Sequence, residues 1–238
     1  RDGRLLKQLS CPSEGHFVGP AALNVSGIDD LEEEIFGPVL HIATFRNAEF
    51  DAIINAINSR GYGLTFGLHS RIDERVQDVI DGLDVGNIYI NRNQIGAVVG
   101  SQPFGGEGLS GTGPKAGGPR YLNRFFREDY PVGNGAQGAT VWVQAIEAAF
   151  RSASPARNPA NPRELPGPTG ESNRYFLAPR QRVLCLGPGA EAAEMQASQA
   201  RAMGCSTVAI APGCQSGLNG VVDAETLHQL ESVDAVVS

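Results

Sequence analysis

Hydrophobic positions in the first ninety-odd residues switch between two rhythms. "VLHIATF", Val39–Phe45, is a short apolar run leaning toward β-branched and aromatic residues, which predicts a strand. "AEFDAIINAINSR", Ala48–Arg60, sets Phe50, Ile53, Ile54 and Ile57 at helical spacing, and Gly61 follows where a helix wants a left-handed cap. "GLTFGLHS" predicts a second strand. "RIDERVQDVIDGL" predicts a second amphipathic helix, with Ile72, Val76, Val79, Ile80 and Leu83 on one side. "GNIYINRN" predicts a third strand. This β-α-β-α-β order implies an α/β fold with a parallel sheet and functional loops at strand ends.

The pattern breaks after Phe150. "RSASPARNPANPRELPGPTGESNR" carries five prolines in 24 residues and no apolar period, so it predicts a linker or extended arm. Beyond it, "RVLCLG" predicts a strand, Ala190–Met203 a helix and "STVAIA" another strand, a separate β-α-β unit. "ETLHQLESVDAVVS" adds a further helix and the beginning of a strand. The expected segments are 1–150, 151–174 and 175–238, the last incomplete. Both ends are abrupt, and the chain is expected to be a piece of a longer polypeptide.

Composition narrows the function. Hydrophobic residues make up 41% of the chain, enough for a buried core. The net charge of −7 leaves no basic face, which argues against nucleic-acid binding by this segment. No apolar run reaches the length of a membrane span, and the N-terminus lacks a signal peptide's apolar stretch. Cys11, Cys185, Cys205 and Cys214 show neither CxxC pairing nor zinc-ligand spacing, so no metal site is expected and the thiols read as buried or incidental. A reducing cytoplasm is the expected location.

The densest chemical signal is "VGSQPFGGEGLSGTGPKAGG", Val99–Gly118, with eight glycines in twenty residues. A phosphate loop would continue Gly-Lys-Ser/Thr into a helix, whereas Lys115 is followed by Ala-Gly-Gly. A linker would not follow the apolar "AVVG". The remaining reading is a loop folded tightly around something. Upstream, "EEEIFGPVL", Glu32–Leu40, resembles the E-x-F-G-P-V signature of the aldehyde dehydrogenase superfamily. "PFGGEGLSGTGPKAGG" resembles the P-F-G-G-x-x-x-S-G-x-G-x-x-x-G block that follows it there. "GLTFGLHSRI", "NIYINRNQIGAVVGSQPFGG" and "SGTGPKAGGPRYL" are similar to the glutamate-semialdehyde dehydrogenase branch. More particularly, they resemble the C-terminal half of bifunctional proline utilization A flavoproteins. The match is close over about Leu5 to Phe126 and looser beyond.

The resemblance implies the C-terminal part of an aldehyde dehydrogenase fold over 1–150. A Pro-rich linker and a Rossmann-like β-α-β unit would follow, the latter like the extra C-terminal domain of the longer members. It implies NAD-dependent oxidation of L-glutamate γ-semialdehyde to glutamate in proline catabolism, with an FAD-bearing proline dehydrogenase elsewhere in the parent. A homo-oligomer is also expected. Glu34 would accept hydrogen bonds from the nicotinamide-side ribose, and Phe36 would lie beside the nicotinamide ring. By themselves, Glu34 reads as one of three adjacent cap or surface acids and Phe36 as core. Main-chain N–H groups of Gly96 and Ala97 would anchor the substrate's α-carboxylate, with Phe104 against its aliphatic part. Lys115 reads as structural or surface.

The nucleophilic Cys of the superfamily lies in a G-Q-x-C context well upstream of E-x-F-G-P-V, and only 33 residues precede Glu34 here. Cys11, in "LSCPSEG", has the wrong neighbours. No catalytic residue is therefore assigned in this chain, and alone it is expected to be inactive. "GPGAEA", Gly187–Ala192, approximates a dinucleotide fingerprint, but Pro188 removes an N–H and no acidic residue ends "STVAIAPG". A degenerate, non-binding module is expected. Two alternatives stand beside the enzyme reading: a non-catalytic assembly or lid module, and another aldehyde dehydrogenase branch acting on an uncharged aldehyde.

Overall fold

The computed structural model describes residues 3–95, 97–126, 137–153, 162–230 and 233–238. They gather into two compact units, Arg1–Arg124 and Phe125–Ser238.

In the first unit, β1 (Leu5–Gln8) pairs antiparallel with β2 (Ala21–Asn24), which runs parallel to β3 (Val39–Ile42). A 3-10 turn, Asn47–Glu49, opens the first helix, and the Glu49 carboxylate accepts the Arg46 N–H at 2.7 Å. Helix α1 (Phe50–Ser59) then carries its apolar face as expected and stops before Gly61, whose φ of +73° makes the left-handed exit. Short strand β4 (Tyr62–Gly63) leads to β5 (Thr65–Leu68), helix α2 (Asp73–Gly82) and β6 (Asn87–Ile90). Strands β5 and β6 are parallel, and β4 pairs antiparallel with β7 (Glu107–Gly108). Ile54, Val79 and Leu83 form the core, flanked by Phe50, Ile57, Phe66 and Ile88, so both helices cover one face of the β5–β6 pair. Burying each of the three central side chains stabilises the unit by about 1.5–3 kcal/mol. Two side chains set the strand ends. Asn58, on α1, donates to the Gly82 carbonyl at 2.7 Å and accepts the Asp84 N–H at 3.0 Å. Asn91, at φ +56°, exchanges two 2.9 Å bonds with the Ser70 main chain, locking the exits of β5 and β6 together.

In the second unit, α3 (Val143–Ser152) precedes an antiparallel pair, β8 (Arg163–Leu165) and β9 (Asn173–Tyr175). Then come β10 (Arg182–Cys185), α4 (Ala190–Ala202), β11 (Ser206–Ala209), α5 (Ala224–Gln229) and β12 (Ala235–Val237). The sheet order is β11-β10-β12, all parallel. Val183 and Cys185 pack against Ala193 and Ala197 of α4. Leu184 faces the other way, into Ile146 and Phe150 of α3. Covered on both faces, "VLC" needs no polar alternation. Arg182 fastens α3 by a 2.8 Å pair with Glu147 and by lying 4.3 Å over the Phe150 ring.

Two sequence expectations change. Most of α3, Val143–Phe150, fell within the expected segment 1–150 but packs in the second unit, because Ile146 and Phe150 bury against β10 and β11. The stretch expected as a Pro-rich linker or extended arm, 151–174, holds β8 and most of the β8–β9 pair. Its strands bond each other through Arg163, Glu164 and Leu165 opposite Tyr175, Arg174 and Asn173, a pairing no apolar period announces.

Candidate cofactor and carboxylate site

Glu34 and Phe36 lie on the loop between the 3-10 turn Ile28–Asp30 and β3. Its upstream end is fixed by Asp30, which accepts the Ser26 N–H at 2.7 Å and the Ser26 hydroxyl at 2.8 Å and pairs with Arg4 at 3.3 Å. The Ser26 N–H, first, and then the Ser26 hydroxyl hold the Asp30 carboxyl below its usual range. Arg60, just past α1, reaches back to donate to the Leu31 carbonyl and, at 3.5 Å, to that of Glu32. At the downstream end the Ala21 N–H of β2 donates to the Pro38 carbonyl at 2.9 Å. Between these anchors Glu34 is exposed and Phe36 is 89% exposed. Phe36 is therefore not core, and one of the two readings of its bare sequence is removed. The loop offers a carboxylate acceptor two residues from an open aromatic face, groups suited to a polyhydroxylated ligand with a flat ring.

The glycine-rich loop follows β6. Gly96 lies outside the described residues. Ala97 is exposed, and its N–H has no acceptor among the described residues. A tight turn comes next, in which the Gln102 N–H donates to the Val98 carbonyl at 2.7 Å. Phe104, half-buried, exchanges both main-chain bonds with Ala116, at 3.0 and 2.8 Å. Asn87, the first residue of β6, donates to the Pro103 carbonyl at 2.8 Å and accepts the Gly105 N–H at 3.1 Å. The Lys115 ammonium donates to the carbonyls of Gly86 and Gly105 and, at 3.4 Å, to Asn87 Oδ1. Burial lowers its pKa, with Glu107 acting the other way. The backbone crosses so closely that any Cβ on Gly86 would strike the Gly105 carbonyl, which accounts for glycine there. Lys115 thus ties the start of β6 to the residue after Phe104, and Asn87 and Arg60 are supports that the sequence motifs did not mark.

Two of the thiols, Cys185 and Cys214, are poorly suited to act as nucleophiles. Burial pushes Cys185 up to about 11 and raises Cys214, opposite to what an attacking thiolate needs. Exposed Cys11 sits 3.8 Å from the Phe17 carbonyl. In the second unit, the Gly187 N–H donates to Gln196 Oε1 at 2.9 Å, and Gly187 lies hard against the backbone of Ala192 and Ala193. One donor of the turn, the Gly187 N–H, is consumed internally, and Pro188 has none to give. Among the described residues no cluster of His, Cys, Asp and Glu could hold a metal ion, and no helix is long and apolar enough to cross a membrane.

A mixed α/β arrangement carrying both loops meets known proteins at this point. Residues 3–129 match the family described as "Aldehyde dehydrogenase family", and the chain belongs to it. Among its relatives, the bifunctional protein PutA of Klebsiella aerogenes is 42% identical over 220 residues, 82% of this chain and 17% of that protein. The 1-pyrroline-5-carboxylate dehydrogenase of Bacillus subtilis is 41% identical over 114 residues, 46% of this chain and 21% of that enzyme. A crystal structure of a Bradyrhizobium japonicum proline utilization A (PutA) mutant superposes with a TM-score of 0.50 at 55% identity. It covers 51% of this chain and 12% of the other. The chain spans about a fifth or less of the length of these relatives. The family expected from E-x-F-G-P-V and P-F-G-G, and the likeness to proline utilization A proteins, are borne out.

Proposed function

We propose that this chain supplies the cofactor-ribose and substrate-carboxylate contacts of an NAD-dependent L-glutamate γ-semialdehyde dehydrogenase in proline catabolism. The single observation that carries the reading is the Ala97 N–H, exposed and without an acceptor among the described residues, on a loop whose downstream limb is bonded to β6. An anion held by main-chain donors needs no charged side chain, and small residues at 96 and 97 let a carboxylate approach. Phe104 would line the aliphatic part of the substrate. The exposed pair Glu34 and Phe36 fits NAD, Glu34 accepting from ribose hydroxyls and Phe36 orienting the nicotinamide ring. Bound there, NAD would supply the hydride acceptor. The nucleophilic thiol, and an FAD-bearing proline dehydrogenase producing the precursor, would come from other parts of the parent polypeptide, located in the cytoplasm.

The parallel β10-α4-β11 unit we read as Rossmann-like but not dinucleotide-binding, because Gln196 occupies the Gly187 N–H. This favours a second role for the segment beyond β8, in assembly of a homo-oligomer. The test uses the full-length protein with NAD. Reduced cofactor should form with glutamate γ-semialdehyde at a higher kcat/KM than with propanal. No preference for the carboxylate-bearing aldehyde would favour another dehydrogenase branch and reject the reading.

A further inference from the structure

We propose that Lys115 is a positioning residue that sets the preference for a carboxylate-bearing aldehyde by stapling Phe104 and the anchoring loop to the start of β6. The inference rests on the proposed reading of that loop as the carboxylate anchor. An ammonium has three donors, and here three acceptors receive them: the Gly86 and Gly105 carbonyls and Asn87 Oδ1. The acceptors come from the entry to β6 and from the residue after Phe104, segments separated in sequence. Two are neutral main-chain carbonyls, so the contact is charge-assisted without an ion pair, and its strength depends on geometry. Gly105 leaves the room in which the Lys115 stem lies, since a Cβ there would come within 3.2 Å of its Cγ. The next residue, Ala116, pairs with Phe104 in both directions. Asn87 adds its bonds to Pro103 and Gly105. Phe104 is therefore bracketed on both sides, and the Val98–Gln102 turn links it to Ala97. Removing the ammonium leaves two carbonyls without their donor and frees this bracket. A shift of the anchor would cost the charged substrate, which needs the Ala97 N–H and the Phe104 ring together. An aldehyde with no carboxylate does not use that pair.

The experiment compares Lys115→Met and Asn87→Ala with wild type in the full-length protein, using glutamate γ-semialdehyde and propanal with NAD, and measuring glutamate affinity by calorimetry. Misplacement on this scale should lower the ratio of kcat/KM for the semialdehyde to that for propanal about tenfold or more. Glutamate Kd should rise by a similar factor. Asn87→Ala should move both quantities the same way, and it decides the matter if Lys115→Met does not yield folded protein. An unchanged ratio, or losses equal for both aldehydes and tracking thermal stability alone, would show Lys115 to be merely structural and overturn the proposal. Wild-type protein without a preference for the semialdehyde would be recognised before any variant was made, and would overturn the underlying reading as well.

Discussion

Phe36 is the residue whose surroundings say most about its use. A side chain of that size left 89% exposed contributes little to folding, so Phe36→Ala should leave the melting temperature within experimental error. With the ring against the cofactor as proposed, its loss, about 0.5–1.5 kcal/mol, should raise the KM for NAD roughly two- to thirteenfold. Equal KM values would remove Phe36 from the cofactor's surroundings. Glu34→Gln should act in the same direction through weaker hydrogen bonds to the ribose. Glu194 makes a different forecast. It accepts the N–H groups of Ser216 and Gln215, at 3.0 and 2.8 Å, and the Cys214 thiol, and these bonds hold its carboxyl down to about 2 from an ordinary 4.5. A depressed carboxyl stabilises the fold fully above its unfolded value, and that contribution disappears as pH falls toward the folded one. Amides at 215 and 216 should lose hydrogen-exchange protection as pH drops from about 4.5 toward 2, and Glu194→Gln should flatten this dependence. A variant with the same acid limb as wild type would show that Glu194 does not hold the loop.

Among the elements, α3 gives the sharpest check. Ile146 is fully buried against Leu184 and Val208, so Ile146→Ala should cost about 2–5 kcal/mol. Exchange should accelerate in β10 and β11 while β5 and β6 keep their protection. Acceleration in β5 and β6 instead would return α3 to the first unit. The helices α1 and α2 were readable because Phe50, Ile53, Ile54 and Ile57, and Ile72, Val76, Val79 and Ile80, recur at the 3.6 period. Strands β1 and β2 were not, since "LLKQ" and "AALN" lack alternation and are fixed by each other. The same holds for β8 and β9, where neighbouring prolines signalled a break while the pairing is made across the intervening turn. Glu34, Phe36 and Phe104, the motif residues of the proposed site, stand out in the sequence itself. Their supports do not, because Arg60 acts over 29 residues and Lys115 over 29 and 10, distances only the fold closes.

At the scale of the molecule, two parallel β-α-β arrangements sit in one chain, and they differ in what their loops leave open. The first unit leaves the Ala97 N–H, the Glu34 carboxylate and the Phe36 ring available. The second spends the Gly187 N–H of its glycine turn on Gln196. Calorimetric titration of the full-length protein should therefore find a single NAD per chain contributed by this family region, lost in Glu34→Gln/Phe36→Ala. A second site surviving that double change would mean that the Gly187 turn binds after all. The longer alignment to a bifunctional PutA than to a 1-pyrroline-5-carboxylate dehydrogenase, 82% against 46% of this chain, agrees with the second unit being an addition to the dehydrogenase fold.

The most direct trial of the carboxylate anchor is a crystal structure of the full-length protein soaked with glutamate. The account predicts the ligand's α-carboxylate within about 2.7–3.2 Å of the Ala97 main-chain nitrogen, with its methylene groups against Phe104. A carboxylate held by a lysine or arginine away from this loop, with Ala97 still facing solvent, would contradict it.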